Sequence, residues 1–107
     1  MECKVSVKNY LDSGLLLKGT VYTEDGERIH DAIVRVKKIN GLDILLIGHE
    51  KTNPLGKFQV KIKDISSSYK ISVFEEEVHM KKLTIRAVTI EQNESSQEIN
   101  MSIIVGK

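Results

Sequence analysis

The chain has few of the residues that stabilise small domains by cross-linking or by rigid turns. Its 107 residues include one cysteine, Cys3, one proline and no tryptophan. A single cysteine cannot form an intramolecular disulfide, so stability has to come from a hydrophobic core. The length suits one such core, and 40% hydrophobic and 29% charged residues are ordinary values for a folded protein. We expect a single domain over residues 1–107, with residues 15–107 as its core and 1–14 as an N-terminal strand or arm.

The chain also lacks an excess of charge of one sign. Sixteen Lys and Arg residues face fifteen Asp and Glu residues, for a net charge of +1. So small a net charge produces no strong field toward nucleic acid or an anionic membrane. Aromatic residues make up only 5% of the chain, which leaves few platforms for stacking on bases or sugar rings. We therefore expect neither a nucleic acid nor a membrane as partner, and carbohydrate binding has only weak support.

Long apolar runs are absent as well. No stretch approaches the roughly 20 apolar residues of a membrane span. Residues 1–11 alternate polar and apolar side chains and lack the apolar segment of a secretory signal. These features predict a cytoplasmic protein if the ends are native, and an extracellular one if the sequence comes from a longer secreted chain.

What the sequence does contain is a repeated alternation of apolar and polar residues. It is clearest at Phe58, Val60 and Ile62, which alternate with lysines and a glutamine. A period of two is typical of a half-buried strand. Six further strands are predicted near residues 15–22, 32–37, 42–47, 69–73, 83–90 and 99–105, separated by turn residues such as Asp25-Gly26 and Asn40-Gly41. No segment has a convincing helical period, so we expect an all-β sandwich or barrel.

Two of these strands carry specific expectations. The run 42–47 is apolar apart from Asp43, which predicts a strand buried on both sides or packed at a rim. In the segment 83–90, the alternation predicts Leu83, Ile85 and Ala87 as the inward-facing residues.

The order of the short motifs resembles the carboxypeptidase-regulatory-like domain family. The motifs are Leu17-Lys18-Gly19-Thr20-Val21, Asp25-Gly26, Ala32-Ile33-Val34-Arg35-Val36, Thr52 with Gly56-Lys57-Phe58, and Tyr69-Lys70-Ile71-Ser72-Val73. The resemblance spans about residues 15–74. It implies a seven-stranded Greek-key β-sandwich of the prealbumin-like (transthyretin-like) type, which usually serves as an accessory module, with Phe58 and Tyr69 as core anchors.

Two relatives within this family carry chemistry, and the residues here fit neither. Surface-protein relatives of the collagen-binding B type (Cna B-type) cross-link an inward lysine to an asparagine. Lys18 and Asn100 have the opposite phase to the core residues of their strands, so we expect both to face solvent. The transthyretin-like hydrolase ends in a Tyr-Arg-Gly-Ser signature, whereas this chain ends Ile104-Val105-Gly106-Lys107. A hydrolase is the least favoured interpretation.

The remaining candidates for catalysis or metal binding lack the necessary spacing. The histidines are His30, His49 and His79, and none has a partner two or four residues away as a zinc site would. The acidic cluster Glu24, Asp25, Glu27 and Asp31 does not follow the spacing of a calcium-binding EF-hand loop. We therefore predict no enzyme activity, no cofactor and no metal site.

The best candidate for a binding surface is a set of outward basic residues on two predicted strands. They are Arg35, Lys37, Lys57, Lys61 and Lys63. If the two strands are neighbours, these side chains merge into one basic face. The sequence thus predicts a non-catalytic accessory or interaction module that binds a protein or its own copies through an outer face or a sheet edge. The alternative is a carbohydrate- or surface-binding module.

Overall fold

The regular structure of the chain consists of strands. The computed structural model describes residues 3–6, 15–62, 68–75, 81–93 and 98–106. Its eight strands are β1 (Cys3–Ser6), β2 (Leu15–Thr23), β3 (Ile33–Asn40), β4 (Asp43–Lys51), β5 (Lys57–Ile62), β6 (Ser68–Phe74), β7 (Lys82–Asn93) and β8 (Glu98–Gly106). The predicted all-β class is confirmed. The seven predicted strands correspond to β2–β8, and β1 lies in the predicted N-terminal strand or arm. Nowhere in the described residues is there a helix with the length and apolar character of a membrane span.

The strands form one mixed sheet that curls toward closure. Their order is β4-β3-β6-β7-β8-β2-β5, with β1 added beside β6. The β2–β8 pair is parallel and the other pairs are antiparallel. The start of β7 pairs with β6 and the rest of it with β8, so this long strand joins the two halves of the sheet. The end strands β4 and β5 come into contact, although the described residues show no ladder between them. The result is a nearly closed barrel with one open seam.

The alternation of the sequence accounts for most of the core. Phe58, Val60 and Ile62 are buried, and so are both predicted anchors, Phe58 and Tyr69. The buried apolar residues form a single cluster: Leu15, Leu17, Val21, Ile29, Ala32, Val34, Val36, Phe58, Val60, Ile62, Tyr69, Ile71, Val73, Leu83, Ile85, Ile99, Met101, Ile103 and Val105. Fully burying a Val, Leu or Ile side chain contributes about 1.5–3 kcal/mol, so this cluster supplies the stability that the missing disulfides do not.

A β-bulge in β7 overturns one core prediction. Ala87 is exposed, although the alternation placed it inward, whereas Val88 is half-buried and packs against the core. The register of β7 against β8 shifts between Ile85 and Ala87, and Arg86 is the extra residue. Because side chains alternate strictly along a strand, one extra residue moves every later side chain to the opposite face.

Thr52 fixes the connection between β4 and β5, the two strands at the open seam. Its buried hydroxyl donates to the Ile29 carbonyl at 2.5 Å and accepts from the Ala32 N–H at 2.9 Å. In the following turn, Asn53 Oδ1 accepts from the N–H groups of Leu55 and Lys57, each at 2.9 Å. The Thr52 bonds tie the connection after β4 to the segment between β2 and β3, and the Asn53 bonds order the turn that leads into β5.

Candidate functional site

The most unusual surface of the molecule is an apolar patch on the edge strand β4. Leu42 is fully exposed, and Ile44, Leu45 and Leu46 are each about half exposed. We call these four residues the β4 patch. The sequence left two arrangements open for segment 42–47, and burial on both sides is not the one observed, since within this segment only Ile47 packs against the core. The strand instead lies at the rim of the sheet.

Two features of the pairing explain why these residues reach solvent. Among the described residues, β4 is hydrogen-bonded only to β3, and β3 pairs with β6 only as far as Lys38, so the hairpin tip runs past the described part of the neighbouring strand. A register shift then places Val36 opposite Gly48 but Lys37 opposite Leu46, which leaves Ile47 as the extra residue. Opposite residues share a face, so Leu46 lies on the outer face with Lys37.

A group of exposed apolar side chains such as the β4 patch often marks a site of contact with another molecule. Single exposed apolar residues are normal on soluble proteins, whereas clusters of them mark contact sites for other molecules. An edge strand also presents backbone groups that can pair with a further strand, and natural proteins usually protect such edges with charge or proline. From Ile44 to Gly48, β4 carries neither. The β4 patch is therefore the strongest candidate for a contact surface.

The predicted basic face is divided in the structure. Arg35 and Lys37 lie on β3, while Lys57 and Lys61 lie on β5. Lys63 falls outside the described residues. β3 pairs with β4 and β6, and β5 pairs with β2, so the two strands are not neighbours. Because β4 lies between β3 and β5 across the seam, the two basic groups are not on adjacent strands, and the condition on which one continuous face depended is not met.

The β3 half of that face borders the β4 patch. The Arg35 guanidinium lies over the Phe74 ring, 5.0 Å from its centroid, and Lys37 is directly opposite Leu46. A cation held over an aromatic ring at an exposed site is stabilised by about 0.5–1 kcal/mol. Lys37 thus borders the apolar patch directly, whereas Arg35 is opposite His49 and its guanidinium is turned toward β6.

The β5 half belongs to a different feature, a polar groove beside the open seam. The groove has a volume of about 700 Å³ and is lined by side chains that include Lys18, Lys51, Lys57, Glu50, Gln59 and Asn100. Lys61 lies further along the same face of β5 and does not line it. Of the groove lysines, only Lys57 belongs to the basic face that the sequence predicts. Lys18 and Lys51 come close to it because β2 pairs with β5 and β4 meets β5 at the seam, a long-range arrangement without a local sequence signal.

Lys18 and Asn100 are direct partners across the parallel β2–β8 pair. Both lie on the outer face, as their phase predicts, and Asn100 is exposed. The Lys18 ammonium is 3.1 Å from a carboxylate oxygen of Glu98. This open, ion-paired setting differs from the apolar environment that activates a lysine as a nucleophile.

The histidines and the acidic turn are placed separately on the surface. His30 lies in a turn with Nε2 3.3 Å from Asp31 Oδ1, and His49 lies on β4 opposite Arg35. His79 is outside the described residues. Glu24 of the acidic cluster is 3.1 Å from the Arg86 guanidinium. Within the part of the chain that the structure describes, no group of three His, Cys, Asp or Glu side chains is arranged to hold a metal ion.

Comparison with known proteins adds no relative. No protein-family model matches the chain, and neither does any curated protein. The resemblance to carboxypeptidase-regulatory-like domains therefore rests on the motif residues alone, and the functional argument rests on the surfaces of this chain.

Proposed function

We propose that this chain is a non-catalytic interaction module that binds a protein partner, with the β4 patch as its contact surface. The observation that carries the proposal is the exposure of four large apolar side chains at the end of one hairpin, Leu42 in the turn and Ile44, Leu45 and Leu46 on β4, beyond the point where β3 stops pairing with β6. Lys37, which is opposite Leu46, places a polar side chain beside this apolar centre, and an apolar centre with polar residues around it is the usual composition of a protein–protein contact.

The area of the β4 patch limits how tightly it can bind a partner. A fully buried Leu or Ile side chain contributes about 1.5–3 kcal/mol, so covering one exposed and three half-exposed residues would yield on the order of 5 kcal/mol. Association itself costs about 4–15 kcal/mol. The patch alone is therefore insufficient for tight binding, and backbone pairing near the hairpin tip, before Gly48 of β4 meets Val60 of β5, is the natural additional contribution.

We also propose the finer fold assignment, a seven-stranded Greek-key sandwich of the prealbumin-like type with β1 as an addition. Support comes from the way the strands group on either side of β7: β4, β3, β6 and β1 precede it, and β8, β2 and β5 follow it. Residues from both groups contribute to one core. Gly19 supports the motif resemblance, because a side chain there would overlap the Met101 carbonyl oxygen and crowd Phe58.

Affinity capture from the native source with a matched pair of variants tests the function. Leu45→Asp places a charge in the β4 patch, whereas Ile90→Asp places the same charge at another exposed apolar residue, on β7. We expect Leu45→Asp to reduce the captured partner at least about tenfold, because a desolvated carboxylate costs well over 1.4 kcal/mol. Ile90→Asp should capture as much as the unmodified chain. A captured second copy of this chain counts as a partner, and equal capture by both variants would refute the proposal.

A further inference from the structure

The edge of β4 at the tip of the β3–β4 hairpin has two defined limits. It begins at the two-residue turn Gly41-Leu42, which connects β3 to β4. It ends before Gly48, where an added Cβ would lie 2.6 Å from Val60 Cγ1 of β5, so β5 lies directly beside β4. Among the described residues, β4 pairs only with β3. A further strand can therefore pair only with residues 42–47, which we call the tip edge.

The backbone of Ile44 is oriented toward such a further strand. A two-residue turn closes on a hydrogen-bonded pair, which here is Asn40 and Asp43. The next pair, Ile39 with Ile44, is then a non-hydrogen-bonded pair of the ladder. The N–H and C=O groups of Ile44 consequently point away from β3, and an antiparallel strand at the tip edge can exchange both hydrogen bonds with them.

The tip edge is complementary to itself. In a two-fold dimer, opposite residues of antiparallel strands share a face of the sheet, so their positions differ by an even number. A pairing centred on Ile44 places Ile44 opposite its own copy and Leu46 opposite Leu42 of the second copy. All four residues of the β4 patch then lie in the contact, which ends before Gly48. A pairing centred on Leu45 would instead bring Leu42 against Gly48, where β5 already lies.

The charges near the tip edge permit this pairing. The net charge of +1 makes the general repulsion between two copies weak. The two copies of Lys37 are three strand spacings apart, about 14 Å, which exceeds the Debye length of about 10 Å at 0.1 M salt. The exposed Asp43 carboxylates come within about 8 Å of each other and oppose the contact slightly. A pairing centred on Asp43 would place them directly opposite each other.

The exposed area suits a weak symmetric contact. One fully exposed and three half-exposed apolar residues present on the order of 400 Å² in each copy. Covering the patches of both copies, with the adjoining backbone, buries about 1,000 Å², the lower end of specific interfaces. A different partner would have to supply an apolar edge strand of its own, whereas a second copy provides one.

We propose that a second copy of this chain occupies the β4 patch, through antiparallel pairing of the two tip edges around a two-fold axis at Ile44. This copy is the protein partner that the proposed function requires, so the dimer depends on that function. The sheet then continues from β3 and β4 of one copy into β4 and β3 of the other. With so small a contact, the dissociation constant is on the order of 100 μM.

Sedimentation equilibrium of the full chain from about 10 μM to 1 mM measures the association. We expect the unmodified chain to change from monomer to dimer over this range. Ile44→Asp places two carboxylates opposite each other at the axis and should weaken the dimer at least about tenfold. Ile90→Asp is the matched control at another exposed residue and should leave the dissociation constant unchanged. Asp43→Asn removes a repulsion and should lower the dissociation constant about twofold.

Disulfide trapping in a Cys3→Ser background tests the register. The Cα atoms of an opposite hydrogen-bonded pair are about 5.5 Å apart, a distance that a disulfide spans, so Ile44→Cys should give a cross-linked dimer on mild oxidation. The two copies of residue 45 are about 8 Å apart in this pairing, beyond the range of a disulfide. Leu45→Cys is therefore the matched control and should cross-link at least about tenfold more slowly.

Three results would overturn the dimer: a chain that stays monomeric at about 1 mM, equal dissociation constants for Ile44→Asp and Ile90→Asp, or equal cross-linking at positions 44 and 45. The proposed function fails on different evidence, which is equal partner capture by Leu45→Asp and Ile90→Asp. If a monomeric chain captures a different protein and the capture depends on Leu45, the second copy is refuted and the contact surface stands.

Discussion

Thr52→Val removes a hydroxyl group that makes two buried hydrogen bonds while nearly preserving the volume of the side chain. The substitution leaves the Ile29 carbonyl and the Ala32 N–H without the bonds that the Thr52 hydroxyl provides. Each buried group without a partner costs about 1–3 kcal/mol, and the additional methyl group recovers part of that loss. We expect the free energy of unfolding to fall by about 3 kcal/mol, a large share of the roughly 5–15 kcal/mol typical of a domain.

Urea denaturation followed by circular dichroism measures this change, with two variants as controls. Thr23→Val removes a hydroxyl that accepts from the Glu27 N–H at 3.1 Å in an exposed turn, where water replaces it. We expect that loss to stay below about 1 kcal/mol. Thr52→Ser keeps the hydroxyl and should cost only about 1 kcal/mol for the missing methyl group. If Thr52→Val costs no more than Thr23→Val, the hydroxyl does not hold β4 and β5 in place and the reasoning is refuted.

Two further predictions test the packing by the same denaturation assay. Gly19→Ala should cost about 3 kcal/mol, the upper end of the usual range for overpacking, since its Cβ would overlap the Met101 carbonyl. Gly106→Ala meets only the flexible Arg86 side chain, so an equally large loss there would contradict this explanation. Val88→Asp should destabilise by at least about 2 kcal/mol and Ala87→Asp by less than about 0.5 kcal/mol, and the reverse order would contradict the bulge.

The sequence predicted what depends on local alternation. Leu17, Val34, Phe58, Ile71 and Ile103 each lie inside at the predicted phase, because period two determines which face of a strand is apolar. The predictions fail where the alternation is interrupted, or where the burial of a strand depends on which strands lie beside it. The bulge in β7 is one such interruption.

The functional surfaces were harder to predict because they depend on pairing between distant strands. An apolar run is the same in a sequence whether it forms a central strand or an edge, so the run 42–47 predicts either a strand buried on both sides or one at a rim and does not decide between them. Lys57 was correctly assigned to an outer face, but its neighbour in the structure is Lys18 of the groove and not Lys37 of β3. Whether a side chain points outward follows from the local alternation of its strand. Which outward side chains lie together depends on the pairing of distant strands.

Site-specific photo-crosslinking tests the central claim, that β4 is the contact surface, most directly. A photoreactive amino acid replaces Leu45 in one version of the chain and Ile90 in another, both expressed in the native source. The account predicts a discrete cross-linked product from position 45, with a partner protein or a second copy, and none from position 90. No product from position 45, or the same product from both positions, would contradict it.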